Sequence, residues 1–304
     1  MEGVDGAGPD YFPAPERRQE ASRDKPDLGS LLGTGSRRSD PGSSFSVARY
    51  RVRRPVAHQK LPGLPGWHGC ALRARLTIIG VNPVRIAFYD FDGTLAGSNI
   101  VVRYAFYARH DPSRLRSLYR SAKLLLSVPF LVGLDLYSRR LFNRVFYRQY
   151  AGMRAEWLNG LAEAMFEQVI RPSIFPGARK LIEEDRRQGY RLVLISGELD
   201  FTLRPVVRYL GFERLVANSL ELRAGVATGR LVPPVVAEQG KASFVERICK
   251  ELGAEAGESK AYSDSSSDLP MLEAVGHPAA VNPDRWLKRV AEACGWPVLK
   301  LEKR

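Results

Sequence analysis

Beyond about residue 80 the chain reads as strands alternating with helices. RIAFYD, residues 85–90, is a short apolar run closed by an acid, the composition of a strand buried on both faces. Residues 99–171 then carry only helical spacing, beginning with NIVVRYAFYARH. After them the pattern predicts a helix over 177–188, a strand at RLVLIS (191–196), a helix over 200–210 and a strand over 214–219. ELRAGVATGRL, 221–231, reads as a β-hairpin turning at Ala224–Gly225. A helix over 241–252, a strand over 260–263 and a helix over 267–275 come next, and two short strands, 278–281 and 297–301, flank a helix that starts at Asp284. This alternation predicts an α/β fold: a doubly wound parallel sheet covered by helices on both faces, with an inserted all-helical segment. The sheet domain is expected to comprise residues 81–98 and 172–304, and the insertion residues 99–171.

Residues 1–80 have no such pattern. They are rich in Gly, Pro, Ser and Arg, as in DLGSLLGTGSRRSDPGSS and LPGLPGWHGC. A segment of this kind buries too little apolar surface to offset its chain entropy, so a disordered basic tail is expected. A start at Val81, four residues before the first strand, is the competing expectation. The first ten residues are acidic and have no apolar core, unlike a secretory signal. The longest apolar run, Leu124–Leu134, is interrupted by Ser127, Pro129 and Gly133. It is far shorter than the roughly 20 residues that cross a bilayer, so no membrane span is expected. Cys70, Cys249 and Cys294 form neither a metal pattern nor a disulfide framework, so a reducing cytoplasm is the default expectation.

In open α/β sheets ligands bind beyond the carboxyl ends of the strands, so the residues after each strand carry the functional reading. The first strand ends in Asp90-Phe91-Asp92-Gly93-Thr94, and the second in Ser196-Gly197. Lys241 follows Gly240 at a helix start, and a later strand ends in Ser263-Asp264 with Asp268 four residues on. Brought to one edge, these supply carboxylates, a hydroxyl, an ammonium and glycine-freed amides, a set suited to phosphoryl transfer. One carboxylate can attack while another handles protons, and acids with water suit Mg²⁺. Lys241 and the metal would offset the repulsion between carboxylate and phosphate, while Ser196 and amides near Gly197 would hold phosphate oxygens. Each residue also has a plainer reading: Ser196 as a helix cap, Lys241 as a surface lysine, Asp268 as a helix-start acid.

The stretch from Arg85 to Leu301 resembles the haloacid dehalogenase-like superfamily of phosphohydrolases, in its phosphoserine-phosphatase-like branch (subfamily IB). The DxDGT motif is matched by Asp90 to Thr94, the strand ending in Ser or Thr by LVLIS with Ser196, and the lone Lys by Lys241 in QGKAS. GDSxxD is matched by residues 263–268, with Ser263 in place of the usual Gly, and GVATGRL is similar to the hairpin before the Lys. The resemblance implies a Rossmann-like core with a C1 helical cap, and a Mg²⁺-dependent phosphomonoester hydrolase acting through an aspartyl-phosphate. It implies Asp90 as nucleophile, Asp92 as acid and then base, and Ser196 and Lys241 as further catalytic groups. Thr94 and Gly197 would bind the substrate phosphate. Asp90, Asp92 and Asp264 would ligate Mg²⁺, supported by Asp268. Relatives that are dehalogenases lack the second acid, Asp92. Phosphoserine phosphatases carry a Glu nine residues after the nucleophile that reads the substrate's amino group. Asn99 stands there, and a neutral amide pairs an ammonium less strongly than a carboxylate does. Phosphoserine therefore stays as the alternative substrate.

Charge sharpens the picture of partners. The chain has 46 Lys and Arg against 33 Asp and Glu, a formal +13. Residues 1–83 contribute +5 and the cap, 99–171, contributes +7, leaving the sheet domain nearly neutral. The cap also holds 12 of the chain's 29 aromatics, most of them expected to pack between its helices. A basic, aromatic lid suits a phosphorylated small molecule or a phospholipid headgroup. KLLLSVPFLVGLDLYSRRLF, 123–142, is expected to be able to lie on a bilayer without crossing it. Peripheral contact with the inner face of the membrane is the corresponding expectation for a cytoplasmic chain, and nucleic acid is not an expected partner. The contrasting class is a membrane- or nucleic-acid-binding protein that uses its basic tail and cap. The complete set of site residues speaks against that class.

Overall fold

The apolar runs become strands of a sheet buried on both sides. In the computed structural model, which describes residues 84–237 and 239–301, the elements in chain order begin with β1 (Ile86–Tyr89) and the helices α1 (Ile100–Arg109), α2 (Arg114–Tyr137), α3 (Arg139–Phe146) and α4 (Ala155–Met165). Then follow α5 (Pro176–Arg187), β2 (Arg191–Leu199), α6 (Asp200–Leu210), β3 (Arg214–Asn218), and the hairpin β4 (Leu220–Arg223) and β5 (Val226–Leu231). The chain continues through α7 (Gln239–Leu252), β6 (Lys260–Ser263), α8 (Leu269–Glu273), β7 (His277–Val281), α9 (Arg285–Cys294) and β8 (Val298–Leu299). The tail expected to be disordered, with the start at Val81, lies outside the described residues.

Six strands form one parallel sheet in the order β3-β2-β1-β6-β7-β8. Alternation along each strand sorts the core into two layers. Ile86, Phe88, Val193 and Ile195 face the layer built with α7, α8 and α9, and Ala87, Tyr89, Leu192 and Leu194 face the layer shared with the inserted helices. The chain runs outward from β1 to β3 and then returns to β6 on the other side of β1. The boundary between β1 and β6 is therefore the switch point of the sheet, and the residues that follow these two strands are Asp90 and Asp264.

The helices of the insertion are held together by aromatic packing. Tyr104 and Tyr150 meet edge-on with centroids 5.0 Å apart, and Phe142 stacks on Phe146 at 5.4 Å. Tyr107 meets Phe201 of α6 at 5.9 Å, which joins the insertion to the layer beneath it. The expectation of packing holds for these rings. The exceptions are Tyr119, Phe130 and Tyr137, all exposed and all on α2. The hairpin turns where it was expected to, with Ala224 and Gly225 both at positive φ, and its Gly225 carbonyl accepts from Ala155 N at 2.8 Å.

Two elements depart from expectation. β2 continues past Ser196 to Leu199, with a break in its register against β3 after Ile195. α2 departs further. Ser127, Pro129 and Gly133 were expected to break it, yet it runs as one helix of 24 residues, about 36 Å long. Ser127 turns its hydroxyl back to the Leu124 carbonyl at 2.8 Å. Pro129 and Gly133 lie on the outward side, where the carbonyl freed by proline meets solvent. By length and composition α2 is thus long and apolar enough to cross a membrane, which corrects the sequence expectation that no segment is.

Candidate active site

The expected residues converge at the carboxyl edge of the sheet. Asp90, Asp92, Ser196, Gly197, Lys241, Asp264 and Asp268 line one cleft, together with Ile100, Asn143, Val236, Ala237, Ser265 and Ser267. Asp90 leaves β1 at its end, and its backbone N–H donates to the Tyr262 carbonyl of β6 at 3.0 Å, which fixes it at the switch point. Lys241, in the first turn of α7, reaches down with Nζ 2.6 Å from Asp90 Oδ1 and 2.7 Å from Asp268 Oδ2. All three side chains are buried. Lys241 is therefore no surface lysine, and Asp268 is more than a helix-start acid. Ser263 also gains a purpose, because its hydroxyl donates to Asp268 Oδ2 at 2.7 Å.

Gly93 closes the turn between Asp92 and Thr94 at φ +81°, a conformation open to glycine. A Cβ at this position would lie 2.0 Å from Asp264 Oδ2, so the glycine also lets the loops after β1 and β6 approach each other. Thr94 was expected among the phosphate ligands. It is fully buried and does not line the cleft. Its hydroxyl lies 3.3 Å from Asp90 Oδ2 and 3.2 Å from Asp264 Oδ1, bracing the two carboxylates from behind. Ser196 does not cap α6, which starts after Leu199. Its Oγ accepts the Glu198 N–H at 3.2 Å and borders the cleft.

The charges in this cluster do not balance. Three carboxylates, the buried Asp90 and Asp268 and the half-buried Asp264, surround one ammonium. Burial, then the charges of Asp90 and Asp268, push the Asp264 carboxyl up to about 8. Burial likewise lifts Asp90 to about 6, with Lys241 pulling the other way. Burial alone would lower Lys241, but Asp268 and Asp90 outweigh it and hold the ammonium above its ordinary value. The cluster carries surplus negative charge on hard oxygen donors, the condition that a divalent cation relieves. Among the described residues no three acidic, His or Cys side chains converge as a ligand set. Mg²⁺ suits such a place, because it binds through one or two carboxylates and keeps water or substrate oxygens at its other positions.

Asp92 is held differently. Arg103 of α1 pairs with both of its oxygens, and Arg103 Nη1 is 2.5 Å from Glu198 Oε2. Burial works against the guanidinium charge, but Asp92 and Glu198 outweigh it and hold Arg103 above its ordinary value. Glu198 also accepts from Leu199 N at 2.7 Å and from the Tyr147 hydroxyl at 3.3 Å. Sequence reading missed this pair, although one signal was present. Arg103 shares a helix face with Ile100, Tyr104 and Tyr107, a charge placed on an apolar stripe.

Asn143 was also missed. It comes from α3, lines the cleft and is buried, and its Nδ2 has no hydrogen-bond partner. A Cβ on Gly197 would come within 3.0 Å of that nitrogen, so this glycine leaves room for it. Asn99, by contrast, is exposed. Its Oδ1 accepts from Val101 N and Val102 N, both at 3.1 Å, and so caps α1.

A parallel sheet whose switch point carries a DxDGT turn, a serine after the next strand and a lysine bonded to two aspartates defines a class of hydrolase. The haloacid dehalogenase-like hydrolase family matches residues 87–273, and the chain belongs to that family. Over 254 residues it is 30% identical to a probable phosphatase of Mycobacterium tuberculosis, with 82% of this chain and 83% of that protein covered. A second protein of that organism, named phosphoserine phosphatase, is 30% identical over 218 residues, which cover 70% of this chain and 69% of that one. Among solved structures, a protein of unknown function from Bordetella pertussis superposes with a TM-score of 0.63 at 27% identity, over 72% of this chain and 99% of that chain. The chain is an enzyme, a phosphatase of the haloacid dehalogenase-like type.

Proposed function

We propose that the protein is a Mg²⁺-dependent phosphomonoester hydrolase that forms a phosphoryl-enzyme on Asp90. The observation that carries this reading is the position of Asp90. It is a buried carboxylate at the switch point of the sheet, 2.6 Å from an ammonium and open to a cleft. Asp90 and Asp264 would hold the metal with the Asp92 carbonyl, and Mg²⁺ when bound supplies charge that lets an anionic nucleophile meet an anionic ester.

In the first step an Asp90 oxygen attacks phosphorus as the bond from phosphorus to the leaving oxygen breaks, and Asp92 gives that oxygen its proton. In the second, Asp92 takes a proton from water as the water oxygen attacks phosphorus, and the acyl-phosphate bond breaks to free phosphate and Asp90. Asp92 must leave Arg103 to do this. Glu198 keeps the guanidinium paired while Asp92 turns, so the acid moves without stranding a buried cation. Ser196 and the Asn143 amide hold phosphate oxygens, and Lys241 keeps Asp90 in line.

The substrate is a phosphorylated small molecule whose leaving group is uncharged near the phosphate. Ile100, Asn143, Val236 and Ala237 are the neutral residues of the lining that support this. Phosphoserine remains the second reading, favoured by the name of one relative. It is weakened by Asn99, whose side chain is engaged as a helix cap. The test is turnover of p-nitrophenyl phosphate. Activity should require Mg²⁺ and fall by about 10⁴-fold or more in Asp90→Asn. Unchanged turnover in that variant would sink the mechanism. A screen of phosphoserine against sugar phosphates, nucleotides and lipid phosphates, with the variant as blank, assigns the substrate.

A further inference from the structure

α2 is apolar on the side where a helix of a water-soluble protein is usually polar. Its inward row carries Leu124 and Leu131, both buried against the rest of the insertion. On the opposite side, Leu115, Leu118, Leu125, Leu126, Phe130 and Leu136 are exposed, Leu126 by 82% and Leu136 by 85%. The other outward positions are Tyr119, Ala122, Pro129, Gly133 and Tyr137, so no charge interrupts this face over the length of the helix. Contiguous exposed apolar surface of this extent marks an interaction site.

The charges around the face say what it meets. From Arg109 to Arg148, both included, there are nine Lys and Arg and two Asp. Asp111 is buried beneath Arg116 and Arg120, and Asp135 lies on the inward row with Leu124, Val128 and Leu131. Arg114, Arg116 and Lys123 stand exposed beside the first half of the helix, and Arg140 and Arg144 stand exposed just beyond its end. An uncharged face bordered by cations, with its acids turned inward, complements an anionic headgroup layer over acyl chains.

We infer that α2 lies in the plane of an anionic membrane and buries its outward face at the boundary of headgroups and acyl chains. Its packing argues against crossing. Besides the buried leucines, Arg120 donates to the Gln149 carbonyl at 3.1 Å and to Asp111 at 3.1 Å, polar contacts that a lipid-surrounded helix would lose. One side of α2 belongs to the protein and the other to the bilayer. This inference is independent of the reading of the active site.

The test is co-sedimentation of the full chain with sucrose-loaded vesicles, either phosphatidylcholine alone or phosphatidylcholine mixed with phosphatidylglycerol. The full chain should bind the mixed vesicles in preference to the neutral ones. The double variant Leu126→Asp/Phe130→Asp should lose about tenfold or more of that partitioning with an unchanged thermal unfolding midpoint. As a second readout, the added tryptophan of Phe130→Trp should shift its emission to the blue with vesicles and be quenched by brominated acyl chains. Three results would overturn the inference. The double variant could sediment like the parent, which would assign binding to another part of the chain. The added tryptophan could stay unshifted and unquenched. Or the parent could ignore both vesicles, including the case where it runs as a dimer that the double variant dissociates, so that a second copy covers α2.

Discussion

The cleft and α2 break the ordinary sorting of residues in opposite ways. At the edge of the sheet, charged side chains are inside; along α2, leucines and a phenylalanine are outside. The two departures are stabilised differently. Each buried charge in the cleft has a partner, yet the partners leave surplus negative charge that a ligand must complete. The outward residues of α2 stand exposed among the described residues, so their removal should cost the fold little. Substitutions should therefore act on stability and catalysis at the first place and on neither at the second.

After the nucleophile itself, the largest effect is expected at Lys241. Lys241→Ala strands Asp90 and Asp268 in the interior, and breaking such a buried pair costs about 3–5 kcal/mol. Phosphatase activity should fall by about 10³-fold or more. Urea unfolding with parallel turnover measurements checks both. Arg103→Ala comes next. It leaves Glu198 buried without its cation, again at about 3–5 kcal/mol, and lets Asp92 drift from its resting place. The double variant Arg103→Met/Glu198→Gln should recover most of the stability while the lowered kcat remains. If the double variant is as unstable as the single one, the pair is not what holds this corner together.

A pH series sharpens the contrast further. Asp264 titrates near 3.8 when free and is lifted to about 8 in the fold. Between those values the folded state holds the extra proton, so without metal its stability declines as pH rises from about 4 to about 8. Mg²⁺ should reverse the decline, with a stabilisation that grows with pH because binding displaces the proton. Thermal unfolding at pH 5 to 8 with Mg²⁺ or with chelator measures it, and a stabilisation independent of pH would contradict the assignment. Asn143→Ala should be milder still. It removes a donor that has no protein partner, so stability should hold while KM rises by about tenfold. The smallest effect belongs to α2, where Leu126→Asp/Phe130→Asp should move stability by no more than about 0.5 kcal/mol in water.

Much of this was legible in the sequence because it rests on local rules. Strand ends followed by acids, a serine or glycine-freed turns placed Asp90, Ser196 and Asp264 on one edge once the sheet was parallel. The placement of Thr94 was not legible, since a hydroxyl in a motif does not say which way it points. It faces two carboxylates and is shut off from the cleft. Glu198 and Arg103 stand 95 residues apart, and no periodicity reports a partner at that distance. Asn143 escaped notice because a lone amide on a helix has many uses. The apolar run of α2 was read as broken at Ser127, Pro129 and Gly133. In a long helix a proline removes one hydrogen bond and the remaining turns hold. Nor can an apolar pattern tell whether its residues face a core or the outside, which only the packing of neighbours decides.

The account depends above all on Asp90 carrying the phosphoryl group. Enzyme mixed with p-nitrophenyl phosphate and Mg²⁺, quenched in acid within the first turnovers and digested, should yield the peptide bearing Asp90 heavier by one phosphoryl group. The added mass should be absent from Asp90→Asn. Steady hydrolysis with no phosphorylated peptide at any quench time, or the group found on another residue, would contradict it.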